Sequence, residues 1–351
     1  MAFTACRKDD TKPINGNVDE RVTKSLSEYQ SQLSGAQYGW KAAVFPSKGY
    51  GFGHFLKFDD KNRVTMYSDW DGDTEKKGLE SSYRLKALQQ PTLLFDTYSY
   101  LHILQDPNPA NNGGETGQGW YADFEFRFES STADTMKLVG IFNKSPLVLV
   151  RATKEEYEAC NASGLVDMDE ATENFVNAPG YRYVDFGDGV KVQCEISTGS
   201  RTFSLTWVNK DGSIGTLSTP WGYFVKSIFL KESLTYNGVS FNEVFWDDAK
   251  ELFYIKAGGK IYEFQTSTSP LIPFHILLGT SYKVINVPSA TTYPGWGNDF
   301  ITRKALANQR TQNFVVVGGN PVSLGAMRFT FNAALKTMVL VWNAPFTGGA
   351  I

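Results

Sequence analysis

Hydrophobic and polar residues alternate along much of this chain, and the alternation predicts β-strands. The clearest case is the segment 123–129, where Phe124, Phe126 and Phe128 occupy every second position and charged residues fill the positions between them. A strand with one apolar and one charged face is typical of an antiparallel sheet that is buried on one side and solvated on the other.

Similar patterns predict seven more strands in the first half of the chain. They cover 40–45, 54–58, 63–68, 83–88, 92–98, 135–142 and 147–151. Before them, Val18, Val22, Leu26, Tyr29 and Leu33 recur every three to four positions, which predicts an amphipathic helix. One helix followed by eight strands predicts a meander that closes as a barrel or folds as a sandwich. By architectural analogy alone, the strand order is lipocalin-like.

The strand pattern stops at residue 153 and resumes at 181. Thr153 and Glu156 have capping-box spacing, which predicts a helical linker over 153–180. Later strands are predicted up to residue 342, including one at 313–317, whereas 266–300 has the Ser, Thr, Pro and Gly content of a long surface loop.

The predicted fold class is therefore mainly β, with two antiparallel β-domains, an N-terminal helix and a helical linker. The expected organisation is a leader and tether at 1–16, a helix plus β-domain at 17–152, the linker, and a second β-rich domain at 181–351.

The N-terminus carries one motif that concerns location. Cys6 follows the small pair Thr4-Ala5 and an apolar residue, which resembles the end of a bacterial lipoprotein signal, where the thiol receives diacylglycerol. A complete signal also has a basic region and a longer apolar region, so the start is interpreted as truncated or misplaced. The next residues, Arg7-Lys8-Asp9-Asp10, resemble the signal that sends Bacteroidetes lipoproteins to the outer face of the outer membrane. The alternative is an unmodified cysteine in a leader.

Composition excludes several classes of function. The net charge is -3 and charged residues make up 20% of the chain, so no basic field indicates nucleic-acid binding. No stretch approaches 18 consecutive apolar residues, as a membrane-spanning helix would require. Cys160 and Cys194 have no spacing that indicates a disulfide framework and are interpreted as small buried residues, although their pairing stays open.

A search for catalytic patterns predicts no catalytic residue. The three histidines lack the spacing of a zinc site, and no nucleophile elbow is present. Gly49, Gly51 and Gly53 stand between two predicted strands, which favours a glycine hairpin over a nucleotide loop. The adjacent pairs Asp59-Asp60 and Asp247-Asp248 suit turns better than catalysis.

The segment 69–80 supports the most specific ligand hypothesis in the sequence, which is a calcium site. Asp69, Asp71, Asp73 and Glu80 stand at positions one, three, five and twelve, which imitates a calcium-binding loop rich in oxygen ligands. The position that demands Gly holds Thr74, and strands are predicted on either side, so a solvated acidic loop is the alternative. No other cofactor is required by the sequence.

Aromatic residues in loop-like places are the second group of ligand candidates. They are Tyr50, Phe52, Trp70, Trp120, Tyr293 and Trp296. Exposed rings stack on sugars and contact peptide side chains, but rings in a β-protein also pack its core, and that alternative applies to each of them.

Several segments resemble a known family. The stretches 40–46, 58–68, 81–88 and 91–100 are similar to uncharacterised Bacteroidetes surface lipoproteins, which are often encoded beside SusC/SusD-type outer-membrane importers. The resemblance implies a location at the outer membrane and no reaction. We therefore expect a cell-surface lipoprotein that binds a nutrient or acts as an accessory subunit of such an importer, with a glycan, peptide or small molecule as ligand. The alternatives are a surface glycan or peptide hydrolase and a purely structural importer subunit.

Overall fold

An eight-stranded antiparallel barrel occupies residues 40–151 of the computed structural model. The structure describes residues 18–88, 90–273, 277–278, 282–332, 334–346 and 349–350. The strands of the barrel are β1 (Trp40–Val44), β2 (Phe52–Phe58), β3 (Arg63–Ser68), β4 (Leu79–Ala87), β5 (Pro91–Phe95), β6 (Glu125–Ser131), β7 (Thr135–Gly140) and β8 (Pro146–Arg151). Each strand pairs with the next one along the chain, and β8 returns to β1 with Arg151 opposite Trp40. The predicted meander is a closed barrel and not a sandwich.

The barrel is filled by the alternating apolar side chains that predicted its strands. Phe126, Phe128 and Leu56 are buried in one core cluster with residues from all eight strands. Helix α1 (Val18–Ser34) packs against β2, β4 and β5, and its Tyr29 ring stacks on Phe128 at 3.8 Å between centroids. Each fully buried side chain of this size stabilises the fold by roughly 1.5–3 kcal/mol.

Five short helices lie in the connections. They are α2 (Gly72–Lys76), α3 (Tyr100–Ile103), α4 (Pro109–Asn112), α5 (Lys154–Ser163) and α6 (Val166–Asn177). The capping box that predicted α5 is present, because the Thr153 side chain accepts from the Glu156 N–H at 3.2 Å and the Thr153 N–H donates to the Glu156 carboxylate at 2.8 Å. Two orphan N–H groups at the start of α5 are thereby satisfied.

A second antiparallel sheet of nine strands follows. Its strands are β9 (Tyr181–Asp185), β10 (Lys191–Ser197), β11 (Thr202–Val208), β12 (Ile214–Phe224), β13 (Ser227–Tyr236), β14 (Val239–Asp247), β15 (Leu252–Ala257), β16 (Lys260–Glu263) and β17 (Gln265–Ser267). The two edge strands, β16 and β17, are separated only by Phe264, at which the chain changes from pairing with β15 to pairing with β9. The Phe264 side chain is buried in the core of this sheet.

The remaining elements form smaller sheets around one helix. They are β18 (Val284–Val287), α7 (Asn298–Phe314), β19 (Val316–Val317), β20 (Asn320–Pro321), β21 (Met327–Asn332), β22 (Thr337–Trp342), β23 (Pro345–Phe346) and β24 (Gly349–Ala350). The strand predicted at 313–317 is wrong in part, because residues 313–314 are the last turn of α7. The loop predicted at 266–300 contains β18 and the start of α7.

The described residues divide into two compact units. The first holds α1 to α6, the barrel and the nine-stranded sheet apart from 208–214, up to Ser269, and the second holds 208–214 with the elements after residue 269. This division differs from the predicted domains, because it joins the barrel to the second sheet and splits the segment 181–351. Within the first unit, β2 of the barrel packs closely on β12 of the second sheet.

Candidate functional site

Two glycines allow β2 and β12 to pack backbone against backbone. A Cβ atom on Gly53 would lie 1.8 Å from the Tyr223 carbonyl oxygen, and one on Gly51 would lie 2.6 Å from the Trp221 carbonyl oxygen. Gly49 has a φ of 98° and lies against the Trp120 ring. The glycine motif is therefore a turn followed by a strand that other backbone approaches closely, which is the usual reason for Gly inside a strand.

A buried ion pair stabilises this contact between the barrel and the second sheet. The Arg201 guanidinium lies 2.7 Å from the Asp69 carboxylate and donates to the backbone oxygens of Asp69 and Gly51 at 2.7 and 3.2 Å. The same guanidinium lies over the Phe52 and Trp221 rings, at 5.4 and 5.7 Å from their centroids. Arg201 thus binds the barrel from the turn that precedes β11, with its charge-assisted bonds shielded from water.

Other ionisable groups surround this pair. Burial, together with the nearby Asp169 and Asp69, raises the pKa of Glu75 to about 7. Burial also raises the pKa of Asp169, whereas it lowers the pKa of His54 to about 4. Burial lowers the pKa of Arg201, but Asp69, Tyr223 and Asp169 raise it by more. The pKa of Arg201 is therefore raised overall. Within this cluster, Glu75 is a group whose pKa lies close to neutral pH.

The predicted calcium ligands have separate partners. Asp69 pairs with Arg201, Glu80 pairs with Arg63 at 2.9 Å, and Asp71 caps α2 by accepting from the Thr74 N–H at 2.8 Å. Asp73 is exposed in the first turn of that helix. Over the described residues, no group of three or more His, Cys, Asp or Glu side chains is placed to hold a metal ion. The calcium interpretation therefore has no support, because a short capped helix stands where the loop would be.

Four of the six predicted ligand-binding aromatics come together at one end of the barrel. The Tyr50 ring lies 5.5 Å from Phe52 and 5.3 Å from Trp120, and Phe52 lies 5.5 Å from Trp70. Phe52 is buried and the other three rings are half-buried against the barrel core. Their observed contacts are packing contacts, as the alternative interpretation expects, and ligand binding by these rings stays a prediction.

The other two predicted aromatics, Tyr293 and Trp296, line one pocket of the second unit. The pocket has a volume of about 570 Å³ and also contains the polar side chains of Asn286, Arg328 and Asn343. The rings of Tyr293 and Trp296 lie 5.8 Å apart, and the Lys304 ammonium is 5.4 Å from the Trp296 ring centroid. Apolar lining with a few converging polar groups is the usual character of a small-ligand site.

The polar members of this pocket carry no signal in the sequence. Arg328 lies in β21, Asn286 in β18 and Asn343 directly after β22, and they share a pocket because these strands pair in the order β18-β21-β22. Local periodicity does not reveal which of these strands are neighbours. Tyr293 and Trp296 were detectable because aromatic residues stand out in a loop rich in Pro and Gly.

The histidines and cysteines among the described residues have local structural contacts. His54 is buried, and its Nε2 atom lies 3.3 Å from the Ser68 hydroxyl. His102 accepts from the Ser99 N–H at 3.1 Å and stacks on Phe124. Cys160 and Cys194 are buried free thiols, and burial raises the pKa of Cys160 to about 12. His275 and Cys6 lie outside the described residues.

Comparison with known proteins gives one family match. Residues 14–248 match the model of the family described as "Domain of unknown function (DUF4302)". The chain belongs to this family. The match covers the barrel, α1 to α6 and the nine-stranded sheet as far as β14, and the DUF4302 description assigns no activity.

The other comparisons add no functional information. No curated protein matches the chain. The DNA polymerase β subunit of Streptococcus pyogenes aligns over 92% of this chain and 83% of its own at 10% identity, with a TM-score of 0.12. The Caulobacter crescentus pol III β protein aligns over 93% and 84% at 8% identity, again with a TM-score of 0.12. Scores this low carry no argument about fold or function. Across the described part of the DUF4302 chain, the helices are too short or too polar to cross a membrane.

Proposed function

We propose that this DUF4302 protein is a cell-surface lipoprotein that binds a glycan for an outer-membrane uptake system. The observation that carries the binding role is the pocket around Tyr293 and Trp296, since two residues singled out as ligand contacts line one cavity with three polar side chains. The location rests on Cys6 and the run that follows it, which resemble a lipoprotein signal with surface export. The SusC/SusD-type importer is the expected partner, from the resemblance of the barrel segments.

The chemistry of the pocket suits a sugar. The CH face of a pyranose stacks on an indole or phenol ring, as offered by Trp296 and Tyr293. The amides of Asn286 and Asn343 both donate and accept hydrogen bonds, which matches sugar hydroxyls, and Arg328 adds five donors. A volume of about 570 Å³ lies within the range of small-ligand sites.

Isothermal calorimetry of residues 18–351 against a panel of neutral and acidic oligosaccharides tests the pocket. We expect at least one oligosaccharide to bind, and we expect Trp296→Ala to weaken its binding at least tenfold by removing the stacking surface. The matched control is Phe314→Ala, which removes a ring that is 84% exposed at the end of α7 and does not line the pocket. Absence of binding across the panel, or equal losses in the two variants, would reject the glycan site.

Fractionation of cells tests the location separately. The wild-type precursor should enter the outer-membrane fraction and co-purify with importer subunits, whereas Cys6→Ser should release the protein because the lipid has no attachment atom. Co-purification with the importer without any glycan binding would favour the structural-subunit alternative. Cleavage of the bound glycan during calorimetry would favour the hydrolase alternative.

A further inference from the structure

One cavity lies in the first unit, between α6 and the end of the β14–β15 hairpin. It is an open cleft of about 770 Å³ that contains Phe175 of α6 on one side and Trp246 of β14 on the other. The Phe175 and Trp246 rings meet edge to face, 6.0 Å apart with an interplanar angle of 82°, and both are half-buried. No motif in the sequence marked this cleft, since its two sides are about 70 residues apart along the chain.

Carboxylates dominate the rim of the cleft. Asp167 and Glu170 stand on the α6 side, and Asp248 and Glu251 stand on the hairpin side. All four are exposed. Asp248 is paired with Lys226 at 2.6 Å, but among the ion pairs of the described residues none involves Asp167, Glu170 or Glu251.

The two cations that line the cleft are engaged by other groups. Arg182 donates to the backbone oxygens of Phe175 and Ala178 at 3.1 and 3.0 Å, which satisfies carbonyls at the end of α6, and its guanidinium lies 4.7 Å from the Phe175 ring centroid. Lys250 pairs with Glu263. The cleft therefore presents an aromatic floor and unpaired negative charge.

We infer that this cleft binds the basic side chains of a peptide. A guanidinium or ammonium group above the Trp246 ring gains a cation–π interaction, and its alkyl chain covers apolar surface. Glu170 and Glu251 then neutralise the charge from opposite sides of the cleft. The Arg182 guanidinium already lies over the Phe175 ring, so the incoming cation would lie over Trp246. This site is separate from the glycan pocket and does not depend on it.

Fluorescence titration of the full chain with two blocked peptides tests the inference. The probes are acetyl-Ala-Arg-Ala-Arg-Ala-amide and the same peptide with Glu in place of Arg. We expect saturable binding of the Arg peptide that weakens as salt is added, since charge contributes to it, and no saturable binding of the Glu peptide. A single arginine with both ends blocked serves as a third probe. If it binds as tightly as the Arg peptide, recognition of a peptide is overturned.

The variants separate the cleft from the general charge of the protein. Glu170→Gln should weaken binding of the Arg peptide at least threefold, whereas Glu173→Gln, which removes the same charge from the same helix outside the cleft, should change it less than twofold. Trp296→Ala should leave peptide binding unchanged. Equal effects of Glu170→Gln and Glu173→Gln, or equal binding of both peptides, would overturn the proposal.

Discussion

Glu75 and His54 are buried ionisable residues whose pKa values shift in ways that both favour the neutral side chain. Burial raises the pKa of Glu75 from 4.5 to about 7 and lowers the pKa of His54 from 6.5 to about 4. A folded-state pKa above the unfolded value contributes stability below the unfolded pKa, and this contribution is lost as pH rises through the folded pKa. Glu75 thus lowers the stability of the fold as pH rises from 4.5 to about 7. His54 lowers it as pH falls from 6.5 to about 4.

Glu75→Gln should remove the first of these two effects. The amide resembles the protonated carboxyl, so the variant should be more stable than wild type at pH 8 and equal to it within error at pH 4. Urea unfolding at pH 4, 6 and 8 measures the difference. Glu80→Gln is the control, because this carboxylate is exposed and pairs with Arg63 on the surface. Parallel pH profiles for wild type and Glu75→Gln would contradict the assignment.

At the scale of elements, the contact between β2 and β12 is highly sensitive to a single added atom. Gly53→Ala places a Cβ atom 1.8 Å from the Tyr223 carbonyl oxygen, so backbone must move, and we expect a loss of about 3 kcal/mol in the free energy of unfolding. Gly72→Ala is the matched control, since an added Cβ there meets nothing within 4 Å, and it should change stability by less than about 1 kcal/mol. Denaturant midpoints measure both. A Gly53→Ala midpoint equal to that of Gly72→Ala would show that the two strands can separate without cost.

The strands were largely predictable from the sequence, but their partners were not. The alternation of Phe124, Phe126 and Phe128 reflects a barrel with a filled interior, and the same physics produced all eight predicted strands. Helix α7 was not predicted, because most of its side chains are exposed and its apolar residues need not repeat on one face. The role of Arg201 was not predicted, because its partner Asp69 is 132 positions away and no sequence pattern in the turn around Arg201 indicates an ion pair.

The same limit applies to the candidate sites. The sequence showed which aromatic residues lie in loops, and this singled out Tyr293 and Trp296 as candidates. It did not show which of these rings pack inside the protein. Tyr50, Phe52 and Trp120 pack at the barrel end because the Gly49 turn places them there. The cleft beside α6 needed the pairing of β14 with β15 before Trp246 could be placed opposite Phe175.

At the scale of the whole molecule, the first unit contains two filled cores and ends at Ser269. The segment 260–269 matters to it out of proportion to its length. Strand β16 pairs with β15, β17 pairs with β9, and the Phe264 side chain between them is 4% exposed in the core of the second sheet. Removing this segment would leave β9 and β15 as open edges and uncover that core.

We therefore expect two truncations that differ by ten residues to behave differently. A chain of residues 18–269 should unfold in one cooperative urea transition, because both cores keep all their strands. A chain of residues 18–259 lacks Phe264, whose removal alone costs about 3–5 kcal/mol in a packed core, and lacks both edge strands. It should unfold at a lower urea midpoint and less cooperatively, or aggregate through the open edges, as near-UV circular dichroism and light scattering would show. Equal midpoints for the two chains would mean that the sheet does not need β16 and β17, and that its core is closed by other residues.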